Sequence, residues 1–431
     1  MRLIIWHGYL LADTGSNIYT RHIARAWDRL GHDVTVLCQE PHPERYDLGR
    51  RVRVVRPDIG PLLPVFVVDR YEGLEARHVA DLTADQLDRY TSANVRALEA
   101  EIASGPPPAM VLANHALMGG PVAAGGCAAG STPYAVKVHG SELEYAIRGR
   151  QALAQMARTG LDGAARVYAG SQHIVDVTRE LLGGGSYLDR TAIVPPGVDL
   201  ELFRPDGGSR ARLAQLLARP RAEDHAERRP DPDVRERLEA VDRFVLYFGK
   251  LLRQKGVHTL LDAWRDVAPR HPGHSLVVVG FGSDREAFQR AAGERVVFTG
   301  AMDHEELAAL IPLADAAVVP SVLPEAFGMV AAEAAACGVI PIVSDHSGLA
   351  EVAAGLGEAA RTFDGTVGQL ADRIEEVLGL EEAERGRLGG LGRDVVATRW
   401  SWERVAARLI AGVAVDTGAP VALKGPTPRR R

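Results

Sequence analysis

Short apolar runs alternate with helix-like stretches in both halves of this chain, and that alternation constrains its fold most. Leu3–Trp6 reads as a buried strand. The loop Leu11–Ser16 leads into a helical pattern with Ile18, Ile23, Trp27 and Leu30 near one face. Gly31-His-Asp33 ends that helix, and Val34–Cys38 is the next strand. A strand–helix–strand unit seeds a parallel, doubly wound sheet. Thr83 and Gln86 have the capping-box spacing before a second helix carrying Leu87, Val95, Leu98 and Ile102. Met110–Ala113, Ala135–Val138 and Arg166–Ala169 are further strands. The second half repeats the logic. Strands at Phe244–Phe248, Leu276–Val279, Val296–Phe298, Ala316–Val319 and Ile340–Val343 are interleaved with helices at Val257–Val267 and Arg285–Ala291. Two α/β halves are expected, hinged near Pro195–Phe203.

The chemistry concentrates where these strands end. Val319 closes an apolar run, and Pro320-Ser321 opens a loop holding Glu325, Phe327 and Gly328. An alanine-rich helix follows with Glu333 inside it. A helix N-terminus between two carboxylates suits an anion beside hydroxyl groups. That pairing fits a nucleotide sugar. Two acids also permit a glycosidase reading, one acid and one nucleophile or base, or simply a solvated acid at a helix start. Lys250 and Lys255 follow the Phe244–Phe248 strand, at the carboxyl edge where open α/β sheets bind ligands. Two ammonium groups there would neutralise a diphosphate as its bond to sugar breaks. Gly280-Phe-Gly282 lacks the third glycine of the dinucleotide fingerprint, since position 285 is arginine.

The Glu325–Glu333 stretch resembles the Glu-x7-Glu signature of the retaining nucleotide-sugar glycosyltransferases of family 4. Gly249-Lys250-Leu251 with Lys255-Gly256 resembles that family's phosphate-binding segment, with lysine at 250 where arginine is usual. Lysine lacks arginine's bidentate fork, and Arg253 is an additional cation nearby. Pro195–Asp199 with Phe203–Pro205 resembles the interdomain crossover, Val138-His-Gly140 the N-domain turn, and Phe298-Thr-Gly300 the loop that meets the base. The resemblance implies an α/β GT-B architecture: two Rossmann-like doubly wound parallel-sheet domains facing across a cleft. It implies an acceptor domain at 1–195 and a nucleotide-sugar domain at 196–410. The stretch at about 206–243, rich in Arg, Asp, Glu and Pro, reads as a partly disordered surface insertion, and 411–431 as a C-terminal tail, disordered after Asp416. Trp400–Arg404 resembles the start of the last helix, which in the family often crosses back onto the N-domain.

The resemblance also implies roles. His139, Lys250, Lys255 and Glu325 are the expected catalytic residues, with His139 facing the donor sugar and Glu325 holding its hydroxyls. Glu333 would accept the ribose hydroxyls. The backbone amides of Phe327, Gly328, Met329 and Val330 would meet sugar and phosphate. Gly249 belongs to the phosphate loop, Gly282 lies near the nucleotide, and Phe298 and Thr299 lie against the base, mostly through backbone atoms. Gly15 and Ser16 would touch the diphosphate or acceptor through amides. Ser141 and Glu142 would line the acceptor side, and Asn114 and His115 are further residues expected at that edge. The expected reaction moves a hexose from a nucleoside diphosphate donor to a hydroxyl of a small-molecule acceptor. UDP-glucose or UDP-N-acetylglucosamine is favoured, with a GDP-mannose-dependent mannosyltransferase, a GT-B-like epimerase or phosphorylase, or an inactive sugar-nucleotide-binding scaffold as the alternatives. The front-face course implied for retaining members requires no enzymic nucleophile.

Bulk properties narrow the rest. The chain has 431 residues, 46% hydrophobic and 25% charged, which suits two or three soluble domains. Its net charge of −6 gives no support for nucleic-acid binding. Cys38, Cys127 and Cys337 are far apart and odd in number, which argues against a disulfide framework or zinc cluster. No cofactor is expected beyond the sugar-nucleotide co-substrate, and no metal site, since the histidines are not at ligand spacing. No apolar run approaches spanning length. His7 and Gly8 break the N-terminal run without a cleavage site, so neither signal peptide nor transmembrane segment is expected. The helix near 84–103 carries Asp85, Asp88, Glu99 and Glu101, an acidic face that argues against peripheral membrane contact. The default is a cytoplasmic enzyme of open oligomeric state.

Overall fold

Central strands of parallel sheets are buried on both faces, so they read as unbroken apolar runs, and such runs build this molecule. The computed structural model describes residues 1–11, 14–66, 73–130, 132–219 and 229–417. Parts of the loops, connector and tail named above (12–13, 67–72, 220–228 and 418–431) lie outside the described residues. The chain divides into two units, Met1–Pro195 with the chain from Trp402 onward, and Pro196–Ser401.

The first unit contains β1 (Arg2–Trp6), β2 (Asp33–Leu37), β3 (Val52–Val55), β4 (Leu62–Val65), β5 (Glu75–His78), β6 (Met110–Asn114), β7 (Tyr134–Lys137), β8 (Arg166–Ala169) and β9 (Thr191–Ile193). Seven of these form a parallel sheet in the order β3-β2-β1-β6-β7-β8-β9, and β4 and β5 pair separately. The second unit contains β10 (Arg243–Phe248), β11 (His274–Val279), β12 (Val296–Gly300), β13 (Ala316–Val319), β14 (Pro341–Ser344) and β15 (Arg361–Phe363). Its sheet order is β12-β11-β10-β13-β14-β15, again parallel. Each sheet grows outward from its first strand in one direction, then reverses. The reversal opens a crevice at the carboxyl ends of β1 and β6, and of β10 and β13, where doubly wound sheets take ligands.

The two-residue period of β10 sorts its side chains to opposite faces. Phe244, Leu246 and Phe248 enter one core with Ala331, Ala332 and Ala335 of the helix Met329–Ala336. Val245 and Tyr247 enter the other with Leu260, Leu261 and Trp264 of the helix Val257–Val267. Burying each such large side chain contributes about 2 kcal/mol. The capping box at Thr83 forms, its hydroxyl accepting from Gln86 N–H.

The structure departs from the sequence reading in four places. The connector at 206–243 is not a surface appendage where it is described. The helices Arg210–Leu217 and Val234–Glu239 bury Leu213, Leu216, Val234 and Leu238 in the core around Phe244. Leu30 is 39% exposed, because it is the C-cap of its helix and has turned off the buried stripe. Glu101 is not on an acidic surface. It is 6% exposed and accepts hydrogen bonds from Arg2, Thr35 and Arg53. Residues 411–417 are not tail, since the helix Trp402–Thr417 runs through them as part of the first unit. Trp27 Nε1 donates to Ala406 O at 3.0 Å and the Tyr168 hydroxyl donates to Leu409 O at 2.7 Å. Trp402, Val405 and Leu409 share a core with Leu3, Ile5 and Trp27.

Candidate active site

The carboxyl edge of the second sheet is a stack of backbone, made possible by glycine. Gly249 N–H donates to Val279 O, Gly280 N–H to Gly300 O, and Leu251 N–H to Phe281 O. The loops leaving β10, β11 and β12 therefore lie on one another. A β-carbon on Gly280 would stand 1.8 Å from Gly249 O, and one on Gly256 1.7 Å from Pro320 O. Gly256 has φ +74°, the left-handed region that glycine alone enters freely. Gly282 packs against Leu251 O in the same way, so its space is used by the loop stack itself.

Lys250 and Lys255 rise from this stack. Lys250 is exposed, and its carbonyl accepts from the Tyr247 hydroxyl at 2.8 Å. Lys255 is half-buried and meets Glu325 across the switch point, Nζ to Oε1 at 2.5 Å. Ser321, at the end of β13, donates its hydroxyl to the same oxygen at 2.6 Å. Gly328, with φ +112°, turns the chain into the helix Met329–Ala336, whose first N–H groups have no preceding turn to accept them. The Phe327 ring points inward, edge-on to Trp400 at 5.3 Å, so only its backbone faces outward. Met329 and Val330 pack partly on the same core. Glu333 is half-buried in the second turn of this helix, where burial pushes its carboxyl up to about 8. At neutral pH it is largely a neutral acid, able to donate as well as accept.

Phe298 and Thr299 lie within β12 and not in the loop expected of them. The Phe298 ring is 4% exposed in the core, and Thr299 is fully buried. Their carbonyls are engaged by the connector: Arg237 Nη1 donates to Phe298 O at 2.7 Å and Asp231 N–H to Thr299 O at 2.7 Å. Asp231 is itself gripped by Arg285 and Arg237. The strand's length carries both residues past the point where a loop would have begun.

The first unit's carboxyl edge is built from imidazoles. His7 follows β1, His115 follows β6 and His139 follows β7. His139 Nε2 donates to Asn114 Oδ1 at 2.8 Å, and Asn114 Nδ2 in turn donates to Thr20 at 3.1 Å. Glu142, fully buried, accepts from His139 N–H at 2.8 Å, Ala116 N–H at 3.2 Å and His115 Nδ1 at 3.1 Å. His115 has φ +71°, rare for a side-chain-bearing residue and typical of functional loops. Burial, then the neighbouring His115, Lys137 and His7, holds the His139 imidazole well below its ordinary range. Burial and His115 push His7 down to about 3. His139 is therefore a neutral hydrogen-bonding group, not a cation. Lys137, beneath it, is 2% exposed and donates to Val194 O at 2.6 Å, and burial draws it down to about 7.

Gly15 and Ser16 open the helix Gly15–Arg29, but its N-cap is Thr14, whose hydroxyl accepts from Asn17 N–H. The space over Gly15 is open. Arg253 is exposed and its amide donates to Asp284 at 2.7 Å. Sequence reasoning gave no weight to Ser321, His346 or His7. Each follows a strand by one or two residues, and that position is the signal that finds them. Among the described residues no three His, Cys, Asp or Glu side chains assemble as a metal-ligand set, and no helix is long and apolar enough to cross a membrane.

Residues 14–197 match the glycosyl transferase 4-like domain, and residues 232–390 match the glycosyl transferases group 1 domain. The chain is 31% identical over 229 residues to the GDP-mannose-dependent alpha-(1-6)-phosphatidylinositol monomannoside mannosyltransferase of Mycobacterium tuberculosis, covering 50% of this chain and 54% of that one. It is 33% identical over 233 residues to the D-inositol 3-phosphate glycosyltransferase of Mycobacterium bovis, covering 52% of this chain and 43% of that one. The chain thus spans about half the length of the curated relatives it matches. Among solved structures, sucrose-phosphate synthase from Thermosynechococcus elongatus superposes with TM-score 0.65 at 24% identity over 95% of this chain and 97% of that chain. Anabaena HepE in complex with UDP superposes with TM-score 0.69 at 17% identity over 96% and 100%. Two matched domains, each on its own doubly wound parallel sheet, show that the chain belongs to the family-4-like glycosyltransferases and has their GT-B fold.

Proposed function

We propose that the chain transfers a hexose from a nucleoside diphosphate sugar to a hydroxyl of a small-molecule acceptor, with retention and without a metal ion. The observation that carries this reading is the Lys255–Glu325 pair at the switch point of the second sheet, 2.5 Å apart above glycine-stacked loops. A diphosphate arriving there would share the Lys255 ammonium with Glu325. The leaving phosphate gains charge as the glycosidic bond breaks, so a cation already in place stabilises the transition state more than the ground state. Lys250 adds a second, more mobile charge. Glu333 would take the ribose hydroxyls, Glu325 a hydroxyl of the sugar, and the first amides of the helix Met329–Ala336 the phosphate. His139, neutral and oriented by Asn114, would present an uncharged hydrogen-bonding face to the sugar. Gly15 and Ser16 would offer amides to the acceptor or diphosphate.

Two donors are supported by different relatives. HepE is solved with UDP, whereas the mycobacterial mannosyltransferase is named for GDP-mannose. Titration calorimetry with UDP, GDP and ADP, in chelator, separates them. Micromolar binding of one nucleotide is expected and identifies the donor base. A folded protein that binds none of the three would sink the transferase reading.

A further inference from the structure

Glu325 sits inside a closed ring of hydrogen bonds that no transfer chemistry requires of it. Its side-chain Oε1 accepts from Ser321 Oγ at 2.6 Å. The carbonyl of the same Ser321 meets His346 Nε2 at 2.8 Å. His346 Nδ1 lies 3.1 Å from Ser347 Oγ. Ser347 Oγ accepts from the Glu325 backbone N–H at 2.9 Å, which closes the ring. A carbonyl only accepts, so His346 carries its proton on Nε2. Its Nδ1 shares a hydrogen bond with the Ser347 hydroxyl, whose oxygen also receives the Glu325 N–H.

Two features mark this ring as built for position. Ser347 has φ +54°, a conformation that a β-carbon disfavours and glycine would adopt freely. The strain is tolerated at the one residue whose hydroxyl joins β14's loop to Glu325. Gly348 then seats that loop: its N–H donates to Glu325 O at 3.0 Å, and a β-carbon on it would stand 2.7 Å from Phe327 Cα. Lys255 and Ser321 both engage Oε1, so among the described residues Oε2 is left without a hydrogen-bond partner.

We infer that Ser347 and His346 are positioning residues that, with Ser321, hold Glu325 so that Oε2 is presented to a hydroxyl of the donor sugar. The inference rests on the donor-site reading above. It assigns the ring to recognition of the sugar, not of the nucleotide.

The test compares Ser347→Gly, His346→Ala and Glu325→Gln with the wild type. Calorimetry uses UDP against UDP-glucose and GDP against GDP-mannose, and release of nucleoside diphosphate follows turnover. Ser347→Gly removes both the strain and the hydroxyl, so thermal stability should hold or rise. Nucleotide affinity should be unchanged, while the extra affinity contributed by the sugar and the turnover should each fall about tenfold or more. His346→Ala should give the same split, and the double variant should be no worse than either single, as residues acting through one chain do. Wild-type sugar affinity and turnover in Ser347→Gly, beside a Glu325→Gln variant that has lost both, would overturn the inference and leave the donor site standing. Wild-type behaviour in Glu325→Gln, or a wild-type protein that binds none of the four probes, would overturn the donor-site reading and this inference with it.

Discussion

The carboxyl edges of the two sheets solve one geometric problem with opposite materials. In the second unit the loops at the switch point are layered backbone, with glycines removing every β-carbon that would separate them, and charged groups stand on top. In the first unit the same edge is filled with imidazole and aromatic rings. His115 lies 4.6 Å from His139 and 4.9 Å from Phe66, and a buried carboxylate ties the loops below. The first arrangement exposes amides and cations and suits a polyanion. The second offers neutral, preoriented rings and suits hydroxyl-rich surfaces. The same topology thus yields an electrostatic floor in one unit and a hydrogen-bonding one in the other, and at the first strand of each sheet Gly249 follows β10 where His7 follows β1.

The sharpest way to break this contrast is to put a side chain into the layered edge. Gly256→Ala places a methyl group 1.7 Å from Pro320 O at a left-handed φ. It should cost about 4 kcal/mol or more in chemical denaturation of the second unit, and a smaller loss would show that the layering is soft. Lys255→Ala removes the charge and leaves the layers. Turnover should fall about 10²–10³-fold with little change in Tm. Unchanged turnover would strip the second edge of its electrostatic role. Glu142→Gln acts on the first edge alone, since one amide oxygen must replace a carboxylate serving three donors. About 1–3 kcal/mol of stability should be lost while nucleotide affinity stays at the wild-type level; a matching loss of nucleotide affinity would mean the edges are not separable. Glu333→Gln should show itself in pH dependence. Its folded-state pKa, raised by burial from 4.5 to about 8, makes the native state hold a proton that the unfolded chain releases. Wild-type stability should therefore decline as pH rises from about 4.5 to about 8 through this group, and the variant should lose that slope. Parallel pH profiles would show that Glu333 titrates as in water.

Most of the fold was legible because its signals are local. The apolar runs at Leu3–Trp6 and Phe244–Phe248 announce strands buried on both faces, and Thr83 with Gln86 announces a helix start. Lys255 and Glu325 stood out as loop residues shortly beyond such strands, and Glu333 by its spacing from Glu325 in the helix that follows. The marginal strands were not legible: β3, β5, β9 and β15 are only partly buried and carry no unbroken apolar run, and β4 is interrupted by Pro64. The connector misled because its charge density reads as surface, although Leu213, Leu216, Val234 and Leu238 form a narrow apolar stripe within it. Phe298 and Thr299 misled because the strand runs further than its apolar core, to Gly300.

The sequence by itself determined that this chain makes two parallel α/β units and which loops leave their carboxyl edges, since periodicity and turn chemistry act between near neighbours. Only the tertiary structure decided how the groups on those loops pair. Glu142 reaches His115, His346 reaches Ser321, and Lys255 reaches Glu325 because strand order brings separate loops together. Burial then sets the charge of what is brought together, leaving Glu333 protonated and His139 neutral. Register and desolvation are properties of the assembled sheet, and no single stretch of chain carries them.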